Sequence, residues 1–197
     1  MDGPREIMNW INEVHEEADN RMVVHIKDML LQGNKCIRIR TVDTDVIVIL
    51  IAFMLQFPEY NAGINIWVDF GVGENRRDVS INSSFDHLGE DISLAMLFFH
   101  YFTGCDSTCS FYKKNKTTWF RQWMANPARD NITTAFQQLS WLPAQSTVEA
   151  TLPTVENFVT LVFKSDSQGL FINEARYQMF SSSVSGNLRD LPLAGML

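Results

Sequence analysis

Hydrophobic and polar positions along the 197-residue chain follow a helical pattern in some segments and a strand pattern in others. Apolar side chains recur at helical spacing through residues 6–31, which predicts two helical pieces that meet near His15 and end before Gly33. Residues 36–41 instead alternate between apolar and polar positions, as a strand does. The next segment, 46–55, is apolar throughout, and its periodicity leaves both a buried strand and a buried helix open.

The middle of the chain continues this alternation. Residues 64–69 predict a second strand, and residues 78–82 predict a strand that pairs with it across a glycine-containing turn. Residues 88–102 predict an apolar helix that ends near Gly104. Further elements are expected at 131–142 and at 155–164, the latter rich in β-forming residues, whereas residues 181–197 are expected to be a loop or a frayed tail.

Strands that alternate with helices predict an α/β fold with a mostly parallel central sheet and helices on both faces. We expect residues 1–180 to form one domain. In sheets of this kind, ligands bind outside the carboxyl ends of the strands. Asp43 and Asp45 come directly after the first predicted strand, so their side chains are expected at that edge.

The composition and the net charge of the chain limit how it can bind nucleic acid or a membrane. Hydrophobic residues make up 46% of the chain, and 16 Lys and Arg stand against 23 Asp and Glu, for a net charge of −7. This balance excludes general coating of nucleic acid or of an acidic membrane by the whole surface, although a local basic patch remains compatible with it. The longest apolar run is about half of the ~20 residues that a membrane helix needs. We therefore expect no membrane span. The three cysteines, Cys36, Cys105 and Cys109, cannot all pair with each other, which favours a reducing, intracellular compartment.

Acidic residues gather in three places: at Glu16, Glu17 and Asp19, at Asp43 and Asp45, and at Asp106. If they converge, they would repel each other strongly without a cation, so a shared site would need oxygen-ligated Mg²⁺ or Mn²⁺. Two such ions about 3.5–4 Å apart stabilise the attacking and leaving oxygens in phosphodiester cleavage.

Each acidic cluster also has an ordinary structural interpretation. Glu16 and Glu17 suit the electropositive start of a helix. Asp43 and Asp45 are typical turn formers, and Asp106 suits a helix N-cap. From the residues alone, both interpretations of each cluster stay open.

Three motifs in order, Glu17-Ala18-Asp19, Asp43-Thr44-Asp45 after a strand, and Gly104-Cys105-Asp106 after an apolar helix, resemble the acidic motifs of the flap-endonuclease and PIN-like nuclease superfamily. More narrowly, the chain is similar to largely uncharacterised animal proteins with that domain, some of them transposon-associated. The resemblance implies that two Mg²⁺ or Mn²⁺ ions are held by five catalytic carboxylates: Glu17, Asp19, Asp43, Asp45 and Asp106.

The resemblance also implies a PIN-like fold and hydrolysis of DNA or RNA phosphodiesters, with branched or single-stranded DNA as the favoured substrate and the nucleus as the favoured compartment. Two departures from the family pattern favour a catalytically degenerate module that binds nucleic acid or protein. Some relatives carry a further acid where Asn20 stands, and the family's first strand, which ends in a metal-binding aspartate, has no counterpart here. The domain is therefore expected to be N-terminally incomplete.

A basic and aromatic segment follows Asp106. Its cations are expected to hold phosphates, and Tyr112 or Trp119 to stack on bases. The resemblance implies that this segment grips the DNA backbone. The alternative is a helix with its aromatic side chains in the core and its lysines in solvent. The cations concerned are Lys113, Lys114, Lys116 and Arg121.

Overall fold

The computed structural model describes residues 18–57, 63–105, 108–111, 113–141, 143–163 and 172–182. The chain divides into two compact units, Met1–Leu97 and Phe98–Leu197. We call them unit 1 and unit 2. The extent predicted for a single domain, residues 1–180, stays a prediction.

Unit 1 contains a three-stranded sheet, with one helix before the first strand and further helices after its strands. The strands are β1 (Cys36–Thr41), β2 (Asn65–Phe70) and β3 (Arg77–Ser80). The helices are α1 (Ala18–Leu31), α2 (Thr44–Ala52), α3 (Ile81–Leu88) and α4 (Glu90–Phe102), the last of which contains the boundary between the units; short 3-10 turns lie at Met54–Gln56 and Gly73–Asn75. The chain is therefore α/β, as the sequence predicts.

The sheet has the order β1-β2-β3, and its pairing is mixed. β1 runs parallel to β2, whereas β2 and β3 form an antiparallel pair. The prediction of a mostly parallel sheet is wrong for the described part of the chain, because the hairpin that the sequence predicts between β2 and β3 supplies half of the pairings. Gly71 opens this hairpin with φ +90°, and a Cβ there would lie 2.6 Å from the Asn75 carbonyl oxygen.

The two faces of the sheet differ in polarity. Ile37, Ile66 and Val68 are buried on one face. The strand alternation places Arg38 and Trp67 on the other face, where both are exposed. Within the described ranges the sheet thus has one buried and one exposed face, and the predicted helices on both faces are not observed.

Helix α2 resolves the ambiguity of the apolar run 46–55. A helix that is apolar on all sides is stable only where it is buried on all sides. Val46 and all residues from Val48 to Ala52 are buried, so this segment is a core helix and not a strand.

Unit 2 is helical in its described part. It contains the end of α4, then α5 (Lys116–Ala125), α6 (Arg129–Leu139), α7 (Gln145–Phe163) and α8 (Ile172–Ser182). The β-rich prediction for 155–164 is wrong up to Phe163, where α7 ends. α8 also extends two residues into the predicted tail, whose remaining residues lie outside the description.

Aromatic side chains form the core of unit 2. Four are completely or almost completely buried and pack edge-on or tilted against their neighbours: Trp119, Trp123, Phe136 and Phe158. The indole Nε1 of Trp123 donates to the Thr133 hydroxyl at 3.0 Å, which satisfies a polar group inside this core. No helix in the described ranges is both long enough and apolar enough to cross a membrane.

Candidate functional site

Asp43 and Asp45 lie where the sequence predicts them, at the carboxyl end of β1. Asp43 is the N-cap of α2: its backbone is extended, and its Oδ1 accepts from the Asp45 backbone N at 2.8 Å. Its own backbone N donates to the Thr41 hydroxyl at 3.0 Å. The structural interpretation of Asp43 is therefore confirmed, since the carboxylate satisfies a backbone donor that the helix leaves unpaired.

Capping occupies one oxygen of the Asp43 carboxylate. Among the described residues, Oδ2 has no hydrogen-bond partner. Asp43 and Asp45 are both half-buried. One carboxylate can thus hold the helix end and still offer an oxygen to a cation, so the two interpretations of Asp43 are compatible.

The other three predicted ligands are not placed by the structure. Glu17 and Asp106 lie outside the described residues. Asp19 belongs to α1, but its side chain also lies outside the description. The convergence of all five carboxylates stays a prediction, and the structure brings Asp43 and Asp45 together.

Asp69 is a further carboxylate near this edge, and sequence reasoning missed it. It lies one residue before the end of β2, in register with Arg40 on the parallel strand β1. Arg76 donates to both of its carboxylate oxygens, from Nε at 2.7 Å and from Nη2 at 2.5 Å. Arg40 donates to its backbone oxygen at 2.8 Å and approaches Oδ1 at 3.4 Å.

These contacts decide what Asp69 can do. The hydrogen bond from Arg76 lowers the pKa of Asp69 and outweighs the opposing effect of burial, and the charge of Arg40 lowers it further. A carboxylate that is already bound by two guanidinium groups is a structural ion and a poor metal ligand. The alternation of polar and apolar residues in β2 was the available signal, because it places Asp69 on the same face as Trp67.

Two of the four cations of the basic segment contact carbonyl oxygens elsewhere in unit 2. Lys114 donates from Nζ to the Val162 carbonyl oxygen at 2.9 Å and lies over the Phe163 ring. The Lys116 Nζ lies 2.8 Å from Nδ1 of the buried His100 and donates to the carbonyl oxygen of the same residue at 3.1 Å. Both carbonyls belong to the last turns of helices, where a positive charge is favourable.

The other cations and the aromatic residues of the segment bear on both interpretations, phosphate binding with base stacking and a helix with a buried aromatic core. Lys113 and Arg121 are exposed. Trp119 is fully buried, which leaves no ring face for a base, and Tyr112 lies outside the described residues. The aromatic core is thus confirmed for Trp119, whereas phosphate binding by the segment stays a prediction.

Neither the protein-family models nor the curated proteins nor the solved structures that were compared contain a match to this chain. The likeness to the flap-endonuclease and PIN-like superfamily therefore stays a prediction from the three acidic motifs.

Proposed function

We propose that this chain is a divalent-metal-dependent nuclease-like hydrolase of nucleic-acid phosphodiesters. The observation that carries the proposal is the position of Asp43 and Asp45 at the carboxyl end of β1, the strand that pairs in parallel with β2. This is the edge at which α/β sheets bind their ligands.

The carboxylate oxygens of Asp43 and Asp45 are ligands that suit a hard divalent cation. Mg²⁺ and Mn²⁺ prefer carboxylate oxygens, and Asp43 Oδ2 lacks a hydrogen-bond donor within the described ranges. Asp43 and Asp45 would hold the ions, and the resemblance adds Glu17, Asp19 and Asp106. When bound, such ions supply charge stabilisation to the attacking and leaving oxygens of the phosphodiester.

The contribution of the protein is to position these oxygens. The turn between β1 and α2 is fixed by two hydrogen bonds, which the Asp43 backbone N donates to the Thr41 hydroxyl and the Asp45 backbone N donates to the Asp43 carboxylate. Because Arg76 and Arg40 bind Asp69, this third carboxylate adds little repulsion to the edge. The turn is therefore organised before any ion arrives.

The test is cleavage of branched and single-stranded DNA with Mn²⁺ by the wild-type chain and by the double variant Asp43→Asn plus Asp45→Asn. Asparagine caps helices as well as aspartate does, so the Asp43 substitution removes charge while it keeps the cap of α2. We expect the variant to lose cleavage and to keep its circular dichroism spectrum. Equal cleavage by both proteins would refute the assigned roles.

A second candidate is a non-catalytic module that binds nucleic acid or protein. The internal contacts of Lys114 and Lys116 favour its protein-binding form, because they occupy two of the four cations that were expected to hold a nucleic-acid strand. Titration calorimetry with Mn²⁺ separates the candidates. Two-site binding that the double variant abolishes would support the hydrolase, and absence of heat at millimolar metal would support the module.

A further inference from the structure

The exposed face of the unit 1 sheet combines arginines with an aromatic ring. The register places Arg38 directly opposite Trp67, and Arg40 opposite Asp69. Because side chains two residues apart lie on the same side of a strand, both arginines share a face with Trp67. Trp67 is on the central strand and is 37% exposed, an unusual position for the largest apolar side chain.

Two acids, the buried Asp69 and the exposed Asp78, hold the guanidinium groups at this surface. The side chain of Asp69 is only 8% exposed, whereas that of Arg76, which binds it, is 58% exposed. Arg38 forms an ion pair with Asp78 on β3. We call Arg38, Arg40 and Arg76 the arginine cluster. Asp69 lies beneath the cluster, whereas Asp78 is exposed beside Arg38, so the solvent meets three cations and one carboxylate at this face.

The arginine cluster retains hydrogen-bonding capacity. Each guanidinium carries several N–H donors in a planar fork that matches a phosphate. Arg76 uses two of its donor atoms on Asp69, Arg40 uses Nη1 on Asp69 and Nη2 on the Gly71 carbonyl oxygen, and Arg38 uses one on Asp78. The donors that remain are fixed in place by these ion pairs, which lowers the entropy cost of binding an anion.

Trp67 restricts the kind of anion. An exposed aromatic ring beside guanidinium groups fits a ligand in which planar rings alternate with phosphates. In single-stranded nucleic acid the bases offer their faces for stacking, whereas in a duplex those faces are covered by neighbouring bases. The net charge of −7 of the whole chain makes this a local surface rather than general attraction.

We infer that the exposed face of the sheet binds single-stranded nucleic acid, with phosphates on the arginine cluster and a base stacked on Trp67. DNA and RNA present the same chemistry here, so both are tested. Binding at this face needs no metal ion and does not depend on hydrolysis at Asp43 and Asp45.

The first experiment measures fluorescence anisotropy of labelled oligothymidine and oligouridine with the full chain in EDTA. Trp67→Leu is expected to weaken binding of at least one strand about tenfold, the usual loss for one stacked base. Trp67→Tyr keeps a ring and is expected to restore most of the affinity. Equal affinity of Trp67→Leu and the wild type would overturn the inference, as would binding of a phosphorylated peptide that is as tight as that of the strands.

The second experiment tests the cations with a matched pair of variants. Arg38 and Arg129 are both about half exposed, and each forms an ion pair with an exposed aspartate. Arg38→Gln is expected to reduce the slope of log affinity against log salt by about 0.7, the value for one lost phosphate contact on a single strand. Arg129→Gln is expected to leave the slope unchanged, and equal effects of the two variants would overturn the inference.

These measurements are independent of the proposed hydrolase. If the Asp43 and Asp45 double variant cleaves as well as the wild type but Trp67→Leu loses binding, the hydrolase proposal fails and the binding face stands. If cleavage depends on the aspartates but substitution of Trp67 and Arg38 leaves the affinity for single-stranded nucleic acid unchanged, the binding face fails and the hydrolase proposal stands.

Discussion

Replacement of Asp43 separates its two roles. Its Oδ1 accepts from the Asp45 backbone N at 2.8 Å and caps α2, a helix that is buried along most of its length. Asp43→Ala removes this acceptor and is expected to cost about 1 kcal/mol, within a usual range of about 0.5–2 kcal/mol for a lost N-cap. For a chain of this size, about 1 kcal/mol corresponds to a fall in Tm of about 2–4 °C.

Asp43→Asn keeps the capping oxygen and removes the charge. Its loss of stability is expected to stay below about 1 kcal/mol, the upper part of the range for a charge at an exposed helix end. The two variants are compared by urea and thermal unfolding followed by circular dichroism. If Asp43→Ala is as stable as the wild type, Asp43 does not support the helix, and if Asp43→Asn loses as much as Asp43→Ala, charge and not capping is the cause.

The same two proteins report on the metal. If Asp43 is a ligand, both variants are expected to bind Mn²⁺ more weakly than the wild type in titration calorimetry, since the amide carries no negative charge. Asp43→Asn is therefore expected to keep stability and lose metal affinity. Unchanged Mn²⁺ binding by Asp43→Asn would remove Asp43 from the metal site.

Three further substitutions test individual contacts. Thr133→Val leaves the buried Trp123 N–H without its acceptor and is expected to cost about 1–3 kcal/mol in urea unfolding, and a smaller loss than about 0.5 kcal/mol would contradict the bond's role. Gly71→Ala is expected to destabilise more than Gly33→Ala, because both have positive φ but only at Gly71 would a Cβ collide with backbone; equal melting temperatures would refute this. Asp69→Asn is expected to lower the free energy of unfolding at neutral pH, because a carboxyl group with a lowered pKa stabilises the fold above its ordinary pKa of 3.8. The difference from the wild type should shrink as the pH falls through the lowered pKa of Asp69. A difference that grows in acid would contradict this expectation.

Local patterns predicted the three strands of unit 1, but they missed helix α3, which begins at Ile81 within the strand expected at 78–82. The strand at 36–41 was predicted with its observed ends, because alternation and the following Asp-Thr-Asp turn mark both its face and its end. The pairing of β2 with β3 followed from the glycine turn between them. The ambiguous run 46–55 needed the fold itself, since burial on all sides gives a helix and a central strand the same composition.

Helix α7 shows where propensity failed. Its second half is rich in valine, which favours strands when it is considered residue by residue. Val155, Val159 and Val162 nevertheless recur at intervals of four and three, and all three are buried. This spacing was the better signal, because packing of one helix face outweighs the small intrinsic preference of each residue.

The candidate site was predicted in part. Asp43 and Asp45 could be placed because strand ends and turn residues are local features. The ion pairs of Asp69 join residues from β1, β2 and the hairpin, so only the pairing of the strands brings them together. The inward contacts of Lys114 and Lys116 depend in the same way on partners that are distant in sequence.

The two inward lysines also join the ends of two helices in unit 2. α7 has no basic residue in its own last turn, and Lys114 supplies the cation there from 48 positions away. Lys116 adds a cation to the end of α4, whose last turn already contains His100. One short segment thus contacts the final turns of both helices through its two lysines. Acetylation of either lysine would loosen a helix end that is remote from the modified residue.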